Sequence, residues 1–248
     1  RSTLFPYTTL FRSRTGRGIT LALAHEGATV AVVDIDEDEA RKTAQDASSG
    51  PGRGIAYGCD VADRKAVFDV MARFVADAGG VDILINNAVA FFYAPLVDMP
   101  EDTIHRMIDV GIKGTYWATQ AATPHLIARG GGSVINMSSV AVSFAIKNAA
   151  VYSSIKGAID AFTRQQAVEL GAYGIRVNAL APGPVVTPGA NSVIDAPGWE
   201  SRRSRTPLGR LATVDDIGAA VVYLVSDDAL SIGGVTLKID GGITIAGP

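Results

Sequence analysis

A tyrosine and a lysine four residues apart, with a pair of serines upstream, are the residues of this sequence best suited to chemistry. Tyr152 and Lys156 lie in the run 151–157 (VYSSIKG), and Ser138 and Ser139 precede it. On a helix, this spacing places both side chains on one face, so the lysine ammonium can lie beside the phenol. A neighbouring cation lowers the pKa of a phenol from about 10 toward neutral pH. The sequence therefore predicts a general acid/base at Tyr152.

A strand and a helix must position these groups. Ser139 follows the apolar run 134–137 (VINM), so we expect it to end a strand and to direct its hydroxyl into a cleft. Apolar strands alternate with helices along the chain, and the run 29–33 is apolar on both faces, as in a buried parallel strand. The other predicted strands are 55–59, 81–85, 175–180 and 235–239. The pattern predicts a single α/β domain in which strands alternate with helices.

Several motifs occur in the order and at the spacing of one enzyme family. These are the Ser and Tyr-x3-Lys group, the run 86–88 (NNA) after a strand, and the run 182–187 (PGPVVT) after another. From about Gly16 to Gly242 the chain resembles the short-chain dehydrogenase/reductase family of nicotinamide-dependent enzymes. This resemblance implies an α/β fold with a single Rossmann-type, doubly wound parallel sheet flanked by helices. The resemblance implies hydride transfer between a secondary alcohol or ketone and nicotinamide, with a small-molecule alcohol or ketone as substrate.

The resemblance also implies a role for each residue of the group. Ser139 would bind the substrate oxygen, Tyr152 would act as general acid/base, and Lys156 would lower the tyrosine pKa and bind the nicotinamide ribose. Tyr152 and Lys156 thus count among the cofactor contacts as well. Other implied cofactor contacts are Gly16, Asp34, Ile35, Asp60, Val61, Asn87, Ala88, Pro182, Gly183, Val185 and Thr187.

Asp34 bears on the choice of cofactor. A carboxylate at the end of the second strand can accept hydrogen bonds from the adenosine ribose hydroxyls and would repel a 2′-phosphate, so NAD is expected rather than NADP. Two aspartates have a simpler alternative, since Asp34 and Asp60 could each cap the helix that follows. The run 182–187 could likewise be an ordinary Pro-Gly turn.

The glycine-rich turn of the family is incomplete in this chain. With Gly27 as the reference, the family's Thr-Gly-x3-Gly-x-Gly motif has its last glycine at Gly16, whereas its earlier glycines fall on Leu10 and Arg14. Gly18 falls inside the following helix and only mimics the motif. We therefore expect a broken cradle for the cofactor pyrophosphate.

The first thirteen residues resemble the in-frame translation of a common sequencing-adapter oligonucleotide. We interpret residues 1–13 as a non-native segment that replaces the first strand and part of the glycine loop, and that should not inform the fold. Residues 14–248 are then a single dinucleotide-binding catalytic domain. The alternative is a genuine but unusual first strand.

Two further positions depart from the family. Val89 replaces a glycine after the Asn-Asn-Ala motif, and Gly111 replaces the asparagine that holds a water in the proton relay behind the lysine. We expect this relay to persist through a backbone carbonyl and water, with reduced efficiency. The alternative function is a catalytically impaired or non-catalytic member of the same fold that binds a ligand or partner.

The substrate pocket is predicted from apolar side chains near the catalytic group. Candidate wall residues are Val140, Phe144, Ile146 and Trp199. The segment 188–207, rich in Gly, Pro, Ser and Arg, is expected to form a mobile lid. Trp199 within it either covers an apolar substrate or packs as a surface aromatic.

Composition limits the partners. The chain of 248 residues has a net charge of −3 and a pI near 5.6, without a basic stripe for nucleic acid. No apolar stretch reaches the ~18 residues that suggest a membrane span. The single cysteine, Cys59, suits a reducing, cytoplasmic compartment. His25, His105 and His125 lack ligand spacing, so no metal is expected.

The resemblance implies a homotetramer assembled through helices 104–126 and 152–170.

Overall fold

The computed structural model of the chain describes residues 3–7, 14–191 and 194–246. The strands are β1 (Thr3–Tyr7), β2 (Thr29–Asp34), β3 (Arg53–Gly58), β4 (Ile83–Asn86), β5 (Gly132–Met137), β6 (Ile175–Pro182) and β7 (Thr236–Ile239). The helices are α1 (Arg14–His25), α2 (Glu37–Ala47), α3 (Arg64–Ala78), α4 (Glu101–Ile108), α5 (Gly114–Ala128), α6 (Ala150–Gly171), α7 (Pro188–Asn191), α8 (Ala196–Ser204) and α9 (Val214–Val225).

The strands form one parallel sheet in the order β3-β2-β1-β4-β5-β6-β7. The chain runs outward from β1 to β3 and then returns to place β4 on the other side of β1. The strand order therefore reverses between β1 and β4, and the crevice at the carboxyl ends of the strands there is where such sheets bind ligands. The predicted fold class is confirmed.

Helices cover both faces of the sheet, which explains why the interior residues of β2 are apolar on both faces. In β2, the buried residues Val30 and Val32 face α1, α2 and α9. Their neighbours Ala31 and Val33 face the opposite layer, where α3, α5 and α6 pack. Because successive side chains of a strand point to opposite faces, a sheet covered on both sides needs apolar residues at every position.

Close packing of α1 against α9 explains why two positions in these helices, 18 and 218, are glycine. A Cβ atom at Gly18 would lie 2.9 Å from Cβ of Val214, and one at Gly218 would lie 2.8 Å from Cβ of Ala22. Both distances are shorter than real Cβ contacts, so these glycines allow the helices to approach each other. Gly18 therefore serves helix packing, in agreement with its predicted place inside the helix.

The N-terminal segment contributes the central strand. β1 lies between β2 and β4, with Leu4 opposite Val30 on one side and Ile83 on the other. Residues 3–7 therefore occupy the position of the first strand, and the interpretation of residues 1–13 as a non-native segment that replaces this strand stays a prediction. Pro6 lies opposite Ile85 and has no backbone N–H, so the strand lacks one donor at the centre of the sheet. Leu10 lies outside the described residues.

Two predicted segments differ in detail from the structure. The single helix expected over 104–126 is interrupted, because a π-helical turn at Asp109–Lys113 joins α4 to α5. Such a turn accommodates one extra residue in a helix and often occurs near functional sites. The lid segment contains two short helices, α7 and α8. Within the described ranges, no helix has the length and apolar character that crossing a membrane requires.

Candidate active site

The predicted site residues follow the ends of successive strands. Asp34 ends β2, Asp60 follows β3, Asn87 follows β4, Ser139 follows β5, and Thr187 follows β6. Because the strands are parallel, their carboxyl ends lie along one edge of the sheet. The topology thus brings residues that are distant in sequence to the same edge, beside the crevice between β1 and β4.

The side chains of Ser139 and Tyr152 interact, and this interaction favours the ionised form of Tyr152 by lowering its pKa. Ser139 is buried and extended where β5 ends, and its Oγ accepts a hydrogen bond of 3.1 Å from the N–H of Ala141. Tyr152 is partly buried in the first turn of α6. The two hydroxyls can therefore bind the same substrate oxygen.

Lys156 lies one turn further along α6 and is 5% exposed. Its Nζ donates a hydrogen bond of 2.6 Å to the carbonyl oxygen of Met137, and it lies 5.7 Å from the centre of the Tyr152 ring. Burial lowers the pKa of Lys156 to about 8, against the opposing effect of the Asp160 carboxylate. Asp160 is itself held by the Thr236 hydroxyl at 3.1 Å.

The lowering of the Tyr152 pKa by Lys156 stays a prediction. Burial raises the pKa of Tyr152 above its ordinary value, and the interaction with the Ser139 side chain offsets this only in part. The Lys156 ammonium itself donates a hydrogen bond to the Met137 carbonyl. The observed partner that favours the phenolate is therefore Ser139.

Methionine in place of Lys156 is expected to stabilise the fold at pH 7. The pKa of Lys156 is lower in the folded chain than in the unfolded one, so charging the buried amine costs on the order of 3 kcal/mol below pH 8. Methionine also loses the hydrogen bond to Met137, which reduces the stabilisation expected from removing the buried charge by about 1 kcal/mol. The cost fades between pH 8 and 10.5, because the folded state is already neutral there and the unfolded state progressively loses its proton.

Urea unfolding of the wild type and Lys156→Met at pH 7 and at about pH 9.5 measures this effect. The stability difference between the two proteins should narrow at the higher pH as the wild type gains stability. Lys147→Met, at an exposed lysine, is the control. A pH-independent difference for Lys156→Met would contradict the prediction.

The capping alternative for the two aspartates is not what the structure shows. Asp36 caps α2, with Oδ1 accepting from the N–H groups of Asp38 and Glu39. Asp63 caps α3 in the same way. Asp34 instead accepts a hydrogen bond of 3.0 Å from the N–H of Asp36, which orients its carboxylate in the turn after β2.

Asp60 is held by an ion pair. Its Oδ2 accepts a hydrogen bond of 2.7 Å from Arg106 of α4, and its Oδ1 accepts one from the N–H of Ala62. Burial opposes ionisation, but these hydrogen bonds keep the pKa of Asp60 below its ordinary value. The neighbouring Val61 is buried, and a Cβ atom at Gly114 would lie 2.8 Å from its Cγ2. Its side chain is therefore part of the core.

Cys59 precedes this pair at the end of β3. Its thiol is 5% exposed and takes part in no disulfide. Burial raises the pKa of Cys59 to about 12, and the nearby aspartates act in the same direction. Since the thiolate is the reactive form, this thiol is chemically inert at neutral pH.

The turn after β6 is held closely against β7. The N–H of Gly183 donates to the carbonyl of Ile239 at 2.9 Å, and a Cβ atom at Gly183 would lie 2.9 Å from Cα of Asp240. The hydroxyl oxygen of Thr187 accepts from the N–H of Ala190 at 3.2 Å and still has a proton to donate. Asp240 and Ile239 thus fix the turn, whereas an ordinary Pro-Gly turn needs no such support.

A buried polar network lies behind the catalytic group. Asn86 donates to Thr119 at 3.2 Å and to Asn136 at 2.8 Å, and Asn136 donates to Thr163 at 2.9 Å. These bonds join β4, β5, α5 and α6. Asn86 therefore has a structural role in this network. The part played by Asn136, Thr119 and Thr163 was missed because their partners lie far away in sequence.

Gly111 lies in the π-helical turn against α6. A Cβ atom there would lie 2.7 Å from Cγ2 of Ile155, so this isoleucine occupies the space that a side chain would need. The carbonyl of Gly111 accepts a hydrogen bond of 3.0 Å from the Thr115 hydroxyl. Restoring an asparagine here would require Ile155 to move as well.

Aromatic residues after β4 surround the tyrosine and were missed by the sequence analysis. The ring centre of Tyr93 lies 5.8 Å from that of Tyr152, and the ring centre of Phe91 lies 6.5 Å from it. Phe91 and Tyr93 also contact each other at 5.7 Å. We call Phe91, Tyr93 and Tyr152 the aromatic cluster. The run 91–93 (FFY) directly after a strand was the available signal.

The proposed pocket residues occupy several environments. Val140 is buried, Ile146 is partly buried, and Phe144 is 38% exposed. Phe144 and Ile146 line an open cavity of about 440 Å³ that also includes Ser153. Trp199 donates a hydrogen bond of 3.0 Å from Nε1 to the side chain of Asn191, which ties α8 to α7.

A larger cavity, of about 810 Å³, lies at the opposite end of the sheet, away from the catalytic group. Its two arginines are already engaged: Arg129 pairs with Asp82, and Arg176 donates to the carbonyls of Leu224 and Ser226. Among the residues that the structure describes, no group of three or more His, Cys, Asp and Glu side chains could hold a metal ion.

The doubly wound sheet, the hydroxyl pair, the buried lysine and the carboxylate after β2 together define a dinucleotide-dependent oxidoreductase. The family model described as enoyl-(acyl carrier protein) reductase matches residues 13–244. The 3-oxoacyl-(acyl-carrier-protein) reductase of Thermotoga maritima is 34% identical over 230 residues, which cover 93% of this chain and 93% of that protein.

Solved structures agree with this match. A gluconate 5-dehydrogenase from Burkholderia cenocepacia, in complex with NADP and tartrate, has a TM-score of 0.90 and 32% identity, covering 100% of this chain and 97% of that one. A 3-ketoacyl-(acyl-carrier-protein) reductase from Brucella melitensis, complexed with NADH, has a TM-score of 0.87 and 28% identity, covering 97% and 98%. The chain belongs to the short-chain dehydrogenase/reductase family. It is an oxidoreductase of CH–OH groups that uses a nicotinamide cofactor.

Proposed function

We propose that this chain interconverts a secondary alcohol and its ketone with NAD(H) in preference to NADP(H), and that Ser139, Tyr152 and Lys156 carry out the reaction. The observation that supports this most directly is the buried Lys156 ammonium 5.7 Å from the centre of the Tyr152 ring, in a site where Ser139 is also buried. Acid/base chemistry on an alcohol oxygen needs a hydroxyl that can exchange a proton and a second donor that holds the oxygen.

Each residue has a separate task in alcohol oxidation. Ser139 donates a hydrogen bond to the substrate oxygen, and the phenolate form of Tyr152 accepts the hydroxyl proton of the substrate. Lys156 supplies positive charge behind the phenol while Met137 holds its ammonium. In ketone reduction, Tyr152 returns the proton to the oxygen. When bound, the nicotinamide accepts or supplies the hydride at its C4 atom.

The residues present fit a dinucleotide. The carboxylate of Asp34 stands at the end of β2, where it would bind the adenosine ribose, and the exposed Ile35 lies next to it. Asp60 and the main chain of Val61 would contact the adenine. Asn87 and Ala88 would meet the ribose near the nicotinamide. Further contacts would come from Gly16 in the first turn of α1, from Pro182, Gly183, Val185 and Thr187, and from Tyr152 and Lys156.

Serine in place of Asp34 is expected to change the cofactor preference toward NADPH. Removing the carboxylate removes both the ribose hydrogen bonds and the repulsion of a 2′-phosphate, so the ratio of Kd for NADPH to Kd for NADH should fall by at least about tenfold. Fluorescence titration of both reduced cofactors measures the ratio.

Asp36→Ser is the matched control because Asp36 caps α2 two residues further on. Serine is also a good cap, so this variant should keep the fold and the cofactor preference. An unchanged ratio in Asp34→Ser would refute the assignment of NAD preference to Asp34.

We also propose a homotetramer that assembles through α4–α5 and α6. Tyr116 of α5 and Phe162 of α6 stack with ring centres 4.7 Å apart, and Tyr116 is 38% exposed. This aromatic pair gives the two helices a shared apolar surface, which supports burial against another copy. Gel filtration with light scattering tests the assembly.

A location in the cytoplasm is consistent with a single cysteine that is buried and free.

A further inference from the structure

The Tyr152 ring is in contact with two other rings of the aromatic cluster. The plane of the Phe91 ring stands at 73° to it and the plane of the Tyr93 ring at 84°, so both contacts are edge to face. The centres of the Phe91 and Tyr93 rings lie 5.7 Å apart, which closes a triangle of three rings. Edge-to-face packing with ring centres about 4.5 to 7 Å apart is favourable. The two contacts therefore favour one orientation of the Tyr152 ring.

The start of α6 lacks a capping side chain. Tyr152 lies in the first turn of this helix, which begins at Ala150. The residue at the N-cap position is Ala149, whose side chain cannot accept a hydrogen bond from the first N–H groups of the helix. The first turn therefore depends on other contacts to fix the position of the phenol.

The segment 91–94 supplies such contacts on the chain just before α6 as well. The N–H of Ala94 donates a hydrogen bond of 3.0 Å to the carbonyl of Asn148. Among the non-glycine residues that the structure describes, Asn148 alone has a positive φ, of 64°. Most side chains disfavour this conformation, and asparagine tolerates it better than most. The segment thus holds the start of α6 at two points, by a backbone hydrogen bond at Asn148 and by ring contacts at Tyr152.

Phe91 and Tyr93 have an aromatic ring in common rather than a reactive group. Burial raises the pKa of Tyr93, and the neighbouring Tyr152 acts in the same direction, so the Tyr93 hydroxyl stays protonated at neutral pH. Phe91 has no polar atom in its side chain. Both residues are partly buried, whereas Phe92 between them is 48% exposed. The two rings therefore contribute packing against the catalytic phenol.

We propose that Phe91 and Tyr93 are positioning residues, whose rings hold the Tyr152 ring so that its hydroxyl stays within reach of the substrate oxygen. Proton transfer needs a distance of about 3 Å between the two oxygens, and a misplacement of about 1 Å can lower the rate by about 10²-fold. The two residues act through Tyr152 and take no part in the proton or hydride transfer. This inference rests on the proposed function and adds two residues to it.

Removing either ring tests the proposal. Tyr93→Leu and Phe91→Leu should each lower the single-turnover rate of NADH formation from NAD and 2-butanol by about 10-fold. The KM for 2-butanol should stay within about twofold, because the rings act on the geometry of proton transfer rather than on binding. Tyr93→Phe keeps the ring and should stay within a few-fold of the wild-type rate. Phe92→Leu is the matched control, since it removes the exposed ring from the same segment, and should change neither value.

Two kinetic outcomes would overturn the positioning role. One is a Tyr93→Phe variant that loses as much activity as Tyr93→Leu, because the hydroxyl rather than the ring would then matter. The other is a loss that appears in KM alone, because Phe91 and Tyr93 would then bind the substrate instead of acting through Tyr152. Urea unfolding of each variant shows that the rates belong to folded protein.

A measurement without turnover separates this proposal from the proposed function. In protein labelled with ¹³C in its tyrosine rings, the signal that Tyr152→Phe removes identifies Tyr152, and its line shape reports how fast the ring flips. Tyr93→Leu should raise the flip rate at least about 10-fold, whereas Tyr93→Phe and Phe92→Leu should leave it unchanged. A faster ring in an enzyme that oxidises no alcohol would refute the proposed reaction and leave the hold on Tyr152 standing. Equal flip rates in Tyr93→Leu and the wild type would overturn the role of the rings.

Discussion

Phenylalanine in place of Tyr152 is expected to lower kcat by about 10²- to 10⁴-fold, the usual contribution of a general acid/base. The phenol hydroxyl is the group placed to exchange a proton with a substrate oxygen held by Ser139, and phenylalanine removes only that hydroxyl. The ring contacts with Phe91 and Tyr93 remain, so the free energy of unfolding should change by no more than about 1 kcal/mol.

Steady-state rates with NAD and a panel of secondary alcohols, together with urea unfolding, measure both effects. Tyr93→Phe is the matched control, because it removes a hydroxyl from the same aromatic cluster without touching the proposed proton path. Its kcat should stay within a few-fold of the wild type. Equal losses in the two variants would show that the cluster needs both hydroxyls for packing and would contradict the assigned role of Tyr152.

Restoring the glycine turn is expected to strengthen NADH binding at least about tenfold, which corresponds to about 1.4 kcal/mol. The variant replaces both Leu10 and Arg14 by glycine, which returns the family motif that ends at Gly16. Glycine allows the backbone to approach the pyrophosphate at the N-terminus of α1, whereas larger side chains keep it away. Fluorescence titration of NADH into both proteins measures the gain.

Pro6→Val separates the effect of the strand on the free energy of unfolding from the effect of the glycine loop on NADH affinity. It returns an N–H donor to β1 between two neighbouring strands and should raise the free energy of unfolding by about 1 kcal/mol. It should leave the NADH affinity unchanged. If the glycine variant binds NADH no better than the chain as it stands, the idea that Leu10 and Arg14 break the phosphate cradle fails. The non-catalytic alternative would then need another cause, such as Gly111.

The sheet could be predicted from sequence because its strands are covered on both faces. The run 29–33 is apolar at every position, and the structure places a strand at Thr29–Asp34 with helices on each side. Short motifs in the sequence marked where the strands end. Because the strands are parallel, these motifs bring Asp34, Asn87 and Ser139 to one edge of the sheet. The expected strand 55–59 was displaced by one or two residues, because Cys59 follows β3 rather than ending it.

The features that sequence reasoning missed depend on contacts between distant segments. Spacing on α6 correctly placed Lys156 one turn from Tyr152, but could not show that its ammonium binds the carbonyl of Met137 on β5. The same holds for Gly111, whose missing side chain is replaced in space by Ile155.

The buried thiol of Cys59 gives this protein an internal reporter of local opening. A thiol reagent can reach it only when the end of β3 opens, so the modification rate measures the opening equilibrium at that point of the sheet. The chain has a single cysteine, so the signal comes from one site. Asp60 and Val61, the proposed adenine contacts, follow it directly. A ligand bound there would slow modification by the factor 1 + [L]/Kd, which makes cofactor occupancy measurable without any turnover.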